Sequence, residues 1–556
     1  MPLQIAPLSA HPSGEEVLPA LHSPPLGPPA VIPPTRLPVD TFAGRVHVEW
    51  DPQAPVTPLG QLVFFTQFLK TAGIFESWVA DCPLHYTSHN APSKRDVLGT
   101  QLLSILAGHQ RYSHITALRG DTVNPPLLGM NQVVSEDAIR HAGIKLAQSA
   151  EPPESVPASM AMALRTESPA AAATGNNEAT VAWQQKHLRQ SYEPLLYEPW
   201  ILDIDTTIKT IYGHQEGAKV GYNPHKPGRP SHTYHSYLMG AARLVLDVEV
   251  RPGNQSAACY SRPGLWKLFD AFPAEGRPWL LRGDCLFGNE DTMAEAESRH
   301  LHYLFKLRLT KKPKELIKLL ERTGHWVDAG QGWQGIESQL QLQGWSRKRR
   351  VIILRRRLKS VIQPVPGSKD PQPLLDWKGL FPVQDPLYEY AVLVTSLTEE
   401  VLTLAQLYRD RADAENNFDE LKNQWGWAGF TTQDLERCQI AARNIAMIYN
   451  WWSLFVRLAD PSKRREAITS RPLLLEAVGR QTTHAGQTTL VVTTPHGEAS
   501  KIQGMLTQLS QFLTGLLETA EQLTQAERWH RILSRIFAPV LKGRPLATPQ
   551  RVLAGA

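Results

Sequence analysis

The stretch YRDRADAENNFDELK, Tyr408 to Lys422, constrains the chain more than any other. It has no Gly or Pro and is rich in Ala, Arg, Glu, Leu and Lys, so it reads as one helix. At about 100° per residue, with Tyr408 as zero, Arg411 falls near ~300°, Glu415 near ~340° and Lys422 near ~320°. A phenol, a guanidinium, a carboxylate and an ammonium then share one stripe about 60° wide. A stripe facing a core is apolar. This one is either solvated, as charged helix faces usually are, or it handles a ligand.

A chain of 556 residues, 42% of them apolar, holds two to four domains and buries a large core. No apolar run reaches the ~18 residues of a membrane span, and no secretory signal is read at the N-terminus. The four cysteines, Cys82, Cys259, Cys285 and Cys438, form no CxxC pair. Reduced thiols are expected rather than a zinc site or disulfides. A net charge of +5 permits nucleic-acid binding without demanding it.

The first 40 residues carry eleven prolines and read as a disordered or polyproline leader. Residues 57–81 read as an amphipathic helix with a Gly break, Lys94 to Asp121 as one or two helices, and VVSEDAIRHAGIKLAQ as a helix capped by Ser135. Residues 151–180 are an Ala/Pro/Ser/Glu-rich linker. From Trp200 the pattern becomes α/β. WILDIDTTIKTIYG alternates as a strand, HQEGAKVGYNPHKPGRPSHTYHS reads as a Gly/Pro/His-rich loop, and YLMGAARLVLDVEVRPGN as a strand pair. SRPGLWKLFDAFP reads as a helix, PWLLRGDCLFGNE as a strand and turn, and EDTMAEAESRHLHYL as a helix. Residues 309–388 look mostly β, and a long apolar helix covers Gln433 to Leu458. Two further helices are expected at Ile502–Thr524 and Gln525–Phe537.

The spacing of Tyr408, Arg411, Glu415 and Lys422 resembles the signature of a group of bacterial insertion-sequence DDE transposases that form hairpin intermediates. That resemblance implies two upstream aspartates at strand ends. Asp205 in LDIDTT and Asp284 in LLRGDCLFG stand at such places. Asp203 shares the strand face of Asp205, but Thr207 stands two residues after Asp205 as in the group's motif. Asp419 also borders the helix stripe, near ~20°. The loop after the first Asp resembles one branch of the group, and the N-terminal helices, with Arg140, resemble its DNA-end-binding region.

Three carboxylates suit Mg²⁺, a hard cation, with Mn²⁺ as a substitute. Two ions about ~4 Å apart support in-line phosphoryl transfer. The resemblance implies Asp205, Asp284 and Glu415 as the catalytic and metal-binding set. It also implies Tyr408, Arg411 and Lys422 as contacts to DNA phosphates. SRKRRVIILRRRLKS carries eight Lys or Arg, and Arg347, Lys348, Arg349, Arg350, Arg355, Arg356 and Arg357 are expected to meet DNA. Trp326, Trp333 and Trp345 are places where a flipped base could stack; a packed Trp is the plainer reading of each.

The expected fold is an RNase-H-like α/β core with a mostly β insertion between helical flanks. Its order is a Pro-rich leader (1–45), a helical DNA-end-binding domain (46–148), a linker (149–190), core (191–308), insertion (309–388), core with the Glu415 helix (389–460) and a helical C-terminal region (461–556). The expected function is cut-and-paste transposition: metal-dependent cleavage at transposon ends and strand transfer into target DNA. A homodimer acting in the bacterial cytoplasm at the nucleoid, with no membrane partner, is implied. The alternatives are a repurposed DNA-end-binding protein and a metal-dependent nuclease that does not join strands.

Overall fold

The computed structural model describes residues 36–148, 178–358 and 387–547. Most of the Pro-rich leader and most of the linker lie outside the described residues. The chain divides into two compact units, Met1–Ala54 and Pro55–Ala556. In the first, β1 (Leu37–Thr41) and β2 (Gly44–Val48) form an antiparallel hairpin. All other elements belong to the second.

The second unit opens with β3 (Val56–Thr57), α1 (Leu62–Ala72), α2 (Ile74–Asp81), α3 (Lys94–Leu106), α4 (Asn124–Leu127), α5 (Glu136–Ala147) and α6 (Glu178–Gln190). Gly73 separates α1 from α2 with φ +70°, a left-handed conformation that favours glycine. Ser93 and Ser135 cap α3 and α5, their hydroxyls accepting the N–H of Asp96 at 3.0 Å and of Ala138 at 3.2 Å.

A ten-stranded mixed sheet follows. Strands β4 (Ile201–Thr210), β6 (Pro230–Met239) and β7 (Leu244–Pro252) form an antiparallel meander, with β5 (Lys219–Val220) on one end of β6. After α7 (Ala258–Asp270), β8 (Leu280–Gly283) runs parallel to β4; after α8 (Glu290–Ser298), β9 (His302–Lys306) runs parallel to β8. Then come α9 (Lys311–Thr323), β10 (Val327–Gly330), β11 (Trp333–Leu340), β12 (Arg349–Arg357) and β13 (Tyr388–Thr395). These four strands are antiparallel, and β13 pairs with β9, so they prolong the same sheet. Helices α10 (Val401–Arg409) and α11 (Ala412–Asn423) lead to α12 (Leu435–Ala459) and α13 (Ala467–Leu474). A hairpin, β14 (Val478–His484) and β15 (Gln487–Thr493), precedes α14 (Ala499–Glu518) and α15 (Gln525–Phe537).

The middle of the core is α12, buried on almost every side. Its polar residues Gln439, Arg443 and Asn450 fall within about 40° of one another around the helix. They face β7, the strand whose outer edge has no neighbouring strand among the described residues. Gln439 accepts from the Val250 N–H at 2.6 Å and donates to the Val248 carbonyl at 2.7 Å. Asn450 does the same with the N–H and carbonyl of Val245, both at 2.8 Å. Arg443 pairs with Asp247 at 2.8 and 3.0 Å. Side-chain amides thus replace a missing strand at a buried sheet edge.

Three expectations are corrected. The stretch Tyr408–Lys422 is not one helix: α10 stops at Arg409 and α11 starts at Ala412, with the Arg411 N–H turned to the Tyr408 carbonyl at 3.1 Å. The residues SHTYHS, taken as loop, belong to β6, where Ser231, His232, Thr233, His235 and Ser236 are fully buried polar groups. Hydropathy hides such a strand, because burial here rests on its histidines, whose Nε2 atoms meet the Glu216 and Gln255 carbonyls at 2.8 Å. The run His302–Leu304, taken as the end of a helix, opens β9. Among the described residues no helix is long and apolar enough to cross a membrane.

Candidate active site

The parallel register of β4 and β8 sets Asp203 beside Arg282 and Ile204 beside Gly283. The next residues are Asp205, still within β4, and Asp284, the first residue after β8. The Asp205 Oδ1 accepts its neighbour Thr206 N–H at 2.7 Å, and the Asp284 Oδ1 accepts the Leu286 N–H at 2.9 Å. Both aspartates are half-buried.

Two arginines tie the α10–α11 junction to this sheet end. Arg282 forks onto Asp203 with two bonds of 2.7 Å and also donates to the Leu407 carbonyl of α10. Arg411, only 2% exposed, stands between two acids. Its Nη2 is 2.9 Å from Asp205 Oδ2 and its Nη1 is 2.6 Å from Glu415 Oε1. Its Nε–H is buried with no partner among the described residues, a donor that a further oxygen would satisfy. The Glu415 side chain is 62% exposed.

Burial pushes the Asp205 carboxyl up to about 6; Arg411 opposes that shift, and the negative charges of Asp284 and Glu415 add to it. Burial also raises the Tyr408 phenol, which feels the charges of Arg411, Glu415 and Asp284. Five of the predicted residues, Asp205, Asp284, Tyr408, Arg411 and Glu415, are therefore within electrostatic reach of one another. Lys422 is half-buried seven residues beyond Glu415, about 10 Å along the helix. The rival acids are otherwise engaged. Asp203 is fully paired with Arg282, and Asp419 accepts from Asn423 at 2.7 Å.

Among the described residues no three His, Cys, Asp or Glu side chains stand close enough to hold a metal ion as placed. The donor set nevertheless fits a hard divalent cation. It consists of carboxylates only, and their mutual repulsion at Asp205 is what such a cation relieves. In this arrangement the Arg411 guanidinium supplies the offsetting charge.

The basic strand β12 is less free than its composition implies. Arg349 is buried against Glu290 and Glu297. Arg350 pairs with Glu337, Arg355 with Glu321, Arg356 with Glu389 and Arg347 with Glu297. Lys348 and Arg357 are exposed and make no ion pair among the described residues. An arginine also lies over each tryptophan: Arg355 at 4.0 Å from Trp326, Arg356 at 4.9 Å from Trp333 and Arg349 at 5.5 Å from Trp345. Arg140 lies over Tyr112 at 4.9 Å.

A second cationic surface escaped the sequence reading. Helix α9 buries Pro313 and Ile317 and turns Lys311, Lys314, Lys318 and Arg322 to one stripe about 80° wide. Lys318 and Arg322 are exposed and without an ion pair among the described residues. The signal was present in KKPKELIKLLERT, whose apolar residues recur at helical spacing.

The model of the family described as transposase DDE domain group 1 matches residues 85–512. No curated protein matches the chain. Among solved structures, the cryo-EM structure of a piggyBac transposase synaptic complex with hairpin DNA is similar at 11% identity over 87% of each chain, with a TM-score of 0.38. The family match spans most of the chain and takes in Asp205, Asp284 and Glu415: the chain belongs to the DDE transposases, domain group 1.

Proposed function

We propose that this chain moves a bacterial insertion sequence by cut-and-paste transposition, as a member of the group with the Tyr-Arg-Glu-Lys signature. The observation that carries the reading is the pairing of Asp205 and Glu415 with the buried Arg411, with Asp284 near enough to Asp205 for its charge to raise that carboxyl. The meander β4–β6–β7, continued by parallel β8 and β9, supports an RNase-H-like core.

Asp205, Asp284 and Glu415 would hold Mg²⁺ or Mn²⁺, which when bound activates water or a DNA 3′-hydroxyl and stabilises the leaving oxygen. Arg411, with its fork of donors, is placed to trade one carboxylate for a phosphate oxygen of the DNA end. Tyr408, a phenol whose pKa burial raises further, is a hydrogen-bond donor beside it. Asp203 and Arg282 position the α10 end and touch no DNA. Lys422 and the exposed Arg347, Lys348, Arg356 and Arg357 hold flanking phosphates, while Arg349, Arg350 and Arg355 first shape β12. The helices of residues 46–148 bind the terminal repeats, residues 309–388 form the insertion, and two copies act together in the cytoplasm at the nucleoid.

The test is cleavage of supercoiled DNA carrying the element's own ends. Double-strand breaks are expected with Mg²⁺, absent with EDTA, and lost in Glu415→Gln while end binding persists. Cleavage surviving in Glu415→Gln would remove Glu415 from the site. Cleavage without joining of the released ends to a target would leave a nuclease.

A further inference from the structure

Residues 212–229 join β4, the strand of Asp205, to β6. No ligand or phosphate contact of the site described above comes from them. Their base is held firmly. Buried Asn223 donates from Nδ2 to Thr210 Oγ1 at 3.2 Å and accepts the Lys226 N–H at 3.0 Å. Gly221 abuts Gly253 so closely that a Cβ there would lie 2.0 Å from the Gly253 carbonyl oxygen. The segment's one acid, Glu216, is engaged with the start of α12. Its N–H donates to the Gln433 carbonyl at 2.8 Å, and its carboxylate accepts the Leu435 N–H at 3.0 Å.

What faces outward is aromatic and cationic. Tyr212 is 70% exposed and Tyr222 65%. Lys219, His225, Lys226 and Arg229 are exposed around them. Lys226 lies over the Tyr212 ring at 4.9 Å. The Tyr222 ring stacks on no ring and meets no cation among the described residues. Single exposed rings are common. Two on a braced loop, among cations and with the only acid hydrogen-bonded to the start of α12, are the make-up of surfaces that take single strands: rings for bases, cations for phosphates. The tryptophans of β10–β12 and their surroundings offer less, since an arginine already covers each. Thr210, to which Asn223 is tied, lies five residues along β4 from Asp205, about 17 Å. A DNA strand covers that distance in about five nucleotides.

We propose that residues 212–229 bind unpaired nucleotides of the DNA strand leaving the carboxylate site, with a base stacked on Tyr222 and phosphates on Lys219, His225 and Arg229. This rests on the transposase reading above. The test is fluorescence anisotropy with the full chain and two probes: a blunt duplex of the element's terminal sequence, and the same duplex with a short single-stranded tail. The wild type is expected to prefer the tailed duplex. Tyr222→Ala removes about tenfold of that preference, the size of one lost base–aromatic stack, and leaves blunt-duplex affinity unchanged. Tyr222→Phe retains the preference, and both variants melt with the wild type because the ring is exposed. Equal loss on both probes would mean that the loop reads duplex phosphates, and no loss would mean that it reads nothing; either overturns the inference. Wild type that binds both probes equally sinks this inference alone, whereas wild type that binds neither removes the transposase reading with it.

Discussion

Asp203 and Asp205 stand two residues apart on one face of β4 and do different work. Asp203 is buried and forked onto Arg282, so removing its charge leaves a guanidinium in the core without its counter-charge and with one acceptor of the fork lost. Asp203→Asn should lower unfolding free energy by about 3–5 kcal/mol, read from urea midpoints. Asp205 instead keeps a carboxyl that burial raises to about 6, with crowding by Asp284 and Glu415 adding to the shift. Asp205→Asn keeps the oxygen that faces Arg411 and relieves that crowding. Its midpoint should move by less than about 1 kcal/mol, while DNA cleavage is lost. If the two variants were destabilised alike, Asp205 would be a structural acid and the carboxylate set would need another member.

At the scale of elements, β6 and β7 are strands built with polar means. His235 of β6 is fully buried, with Nε2 2.8 Å from the Gln255 carbonyl oxygen, and burial lowers its pKa to about 4. The unfolded chain takes up this proton below about pH 6.5 and the folded chain only near 4. Between those values the unfolded state binds more protons, so stability falls as pH drops through the window. His235→Gln should flatten the slope of unfolding free energy against pH there by about 1.4 kcal/mol per unit, the weight of one proton. The edge of β7 gives a second expectation. Asn450→Leu leaves the N–H and carbonyl of Val245 buried without partners, a loss of about 2–5 kcal/mol in a denaturant titration. Solvent reaching that edge would instead leave the midpoint unchanged. The polar stripe of α12 was legible as Gln439, Arg443 and Asn450 at helical spacing. Which strand it seals was not.

For the whole molecule, the net charge of +5 says less than where unpaired charge lies. The arginines of β12 form a dense run in the sequence, yet most are matched by glutamates from α8, α9, β11 and β13. Helix α9, by contrast, leaves Lys318 and Arg322 unmatched among the described residues. Binding to duplex DNA should therefore weaken steeply with salt. Lys318→Gln with Arg322→Gln should flatten the slope of log affinity against log salt by about 1.8, for two phosphate contacts. Arg349→Gln, at a buried pair, should lower the melting temperature first. An unchanged slope in the double variant would return α9 to a solvated face.

What the amino-acid sequence determined on its own was local. Helix caps at Ser93 and Ser135, the break at Gly73, the alternation of β4 and the spacing from Tyr408 to Lys422 depend on neighbours a few residues apart. Such features are written within one turn or one strand. Only the tertiary structure decided which charge meets which. Asp203 and Arg282 are 79 positions apart, and Asp205 and Arg411 are 206 apart. Those pairings follow from the parallel register of β4 and β8 and from the turn between α10 and α11, and neither is encoded in any short window. The same holds for β6: its buried histidines read as a loop until the Glu216 and Gln255 carbonyls that meet them are in place, because hydropathy reports a residue's own polarity and not the hydrogen bonds the fold provides.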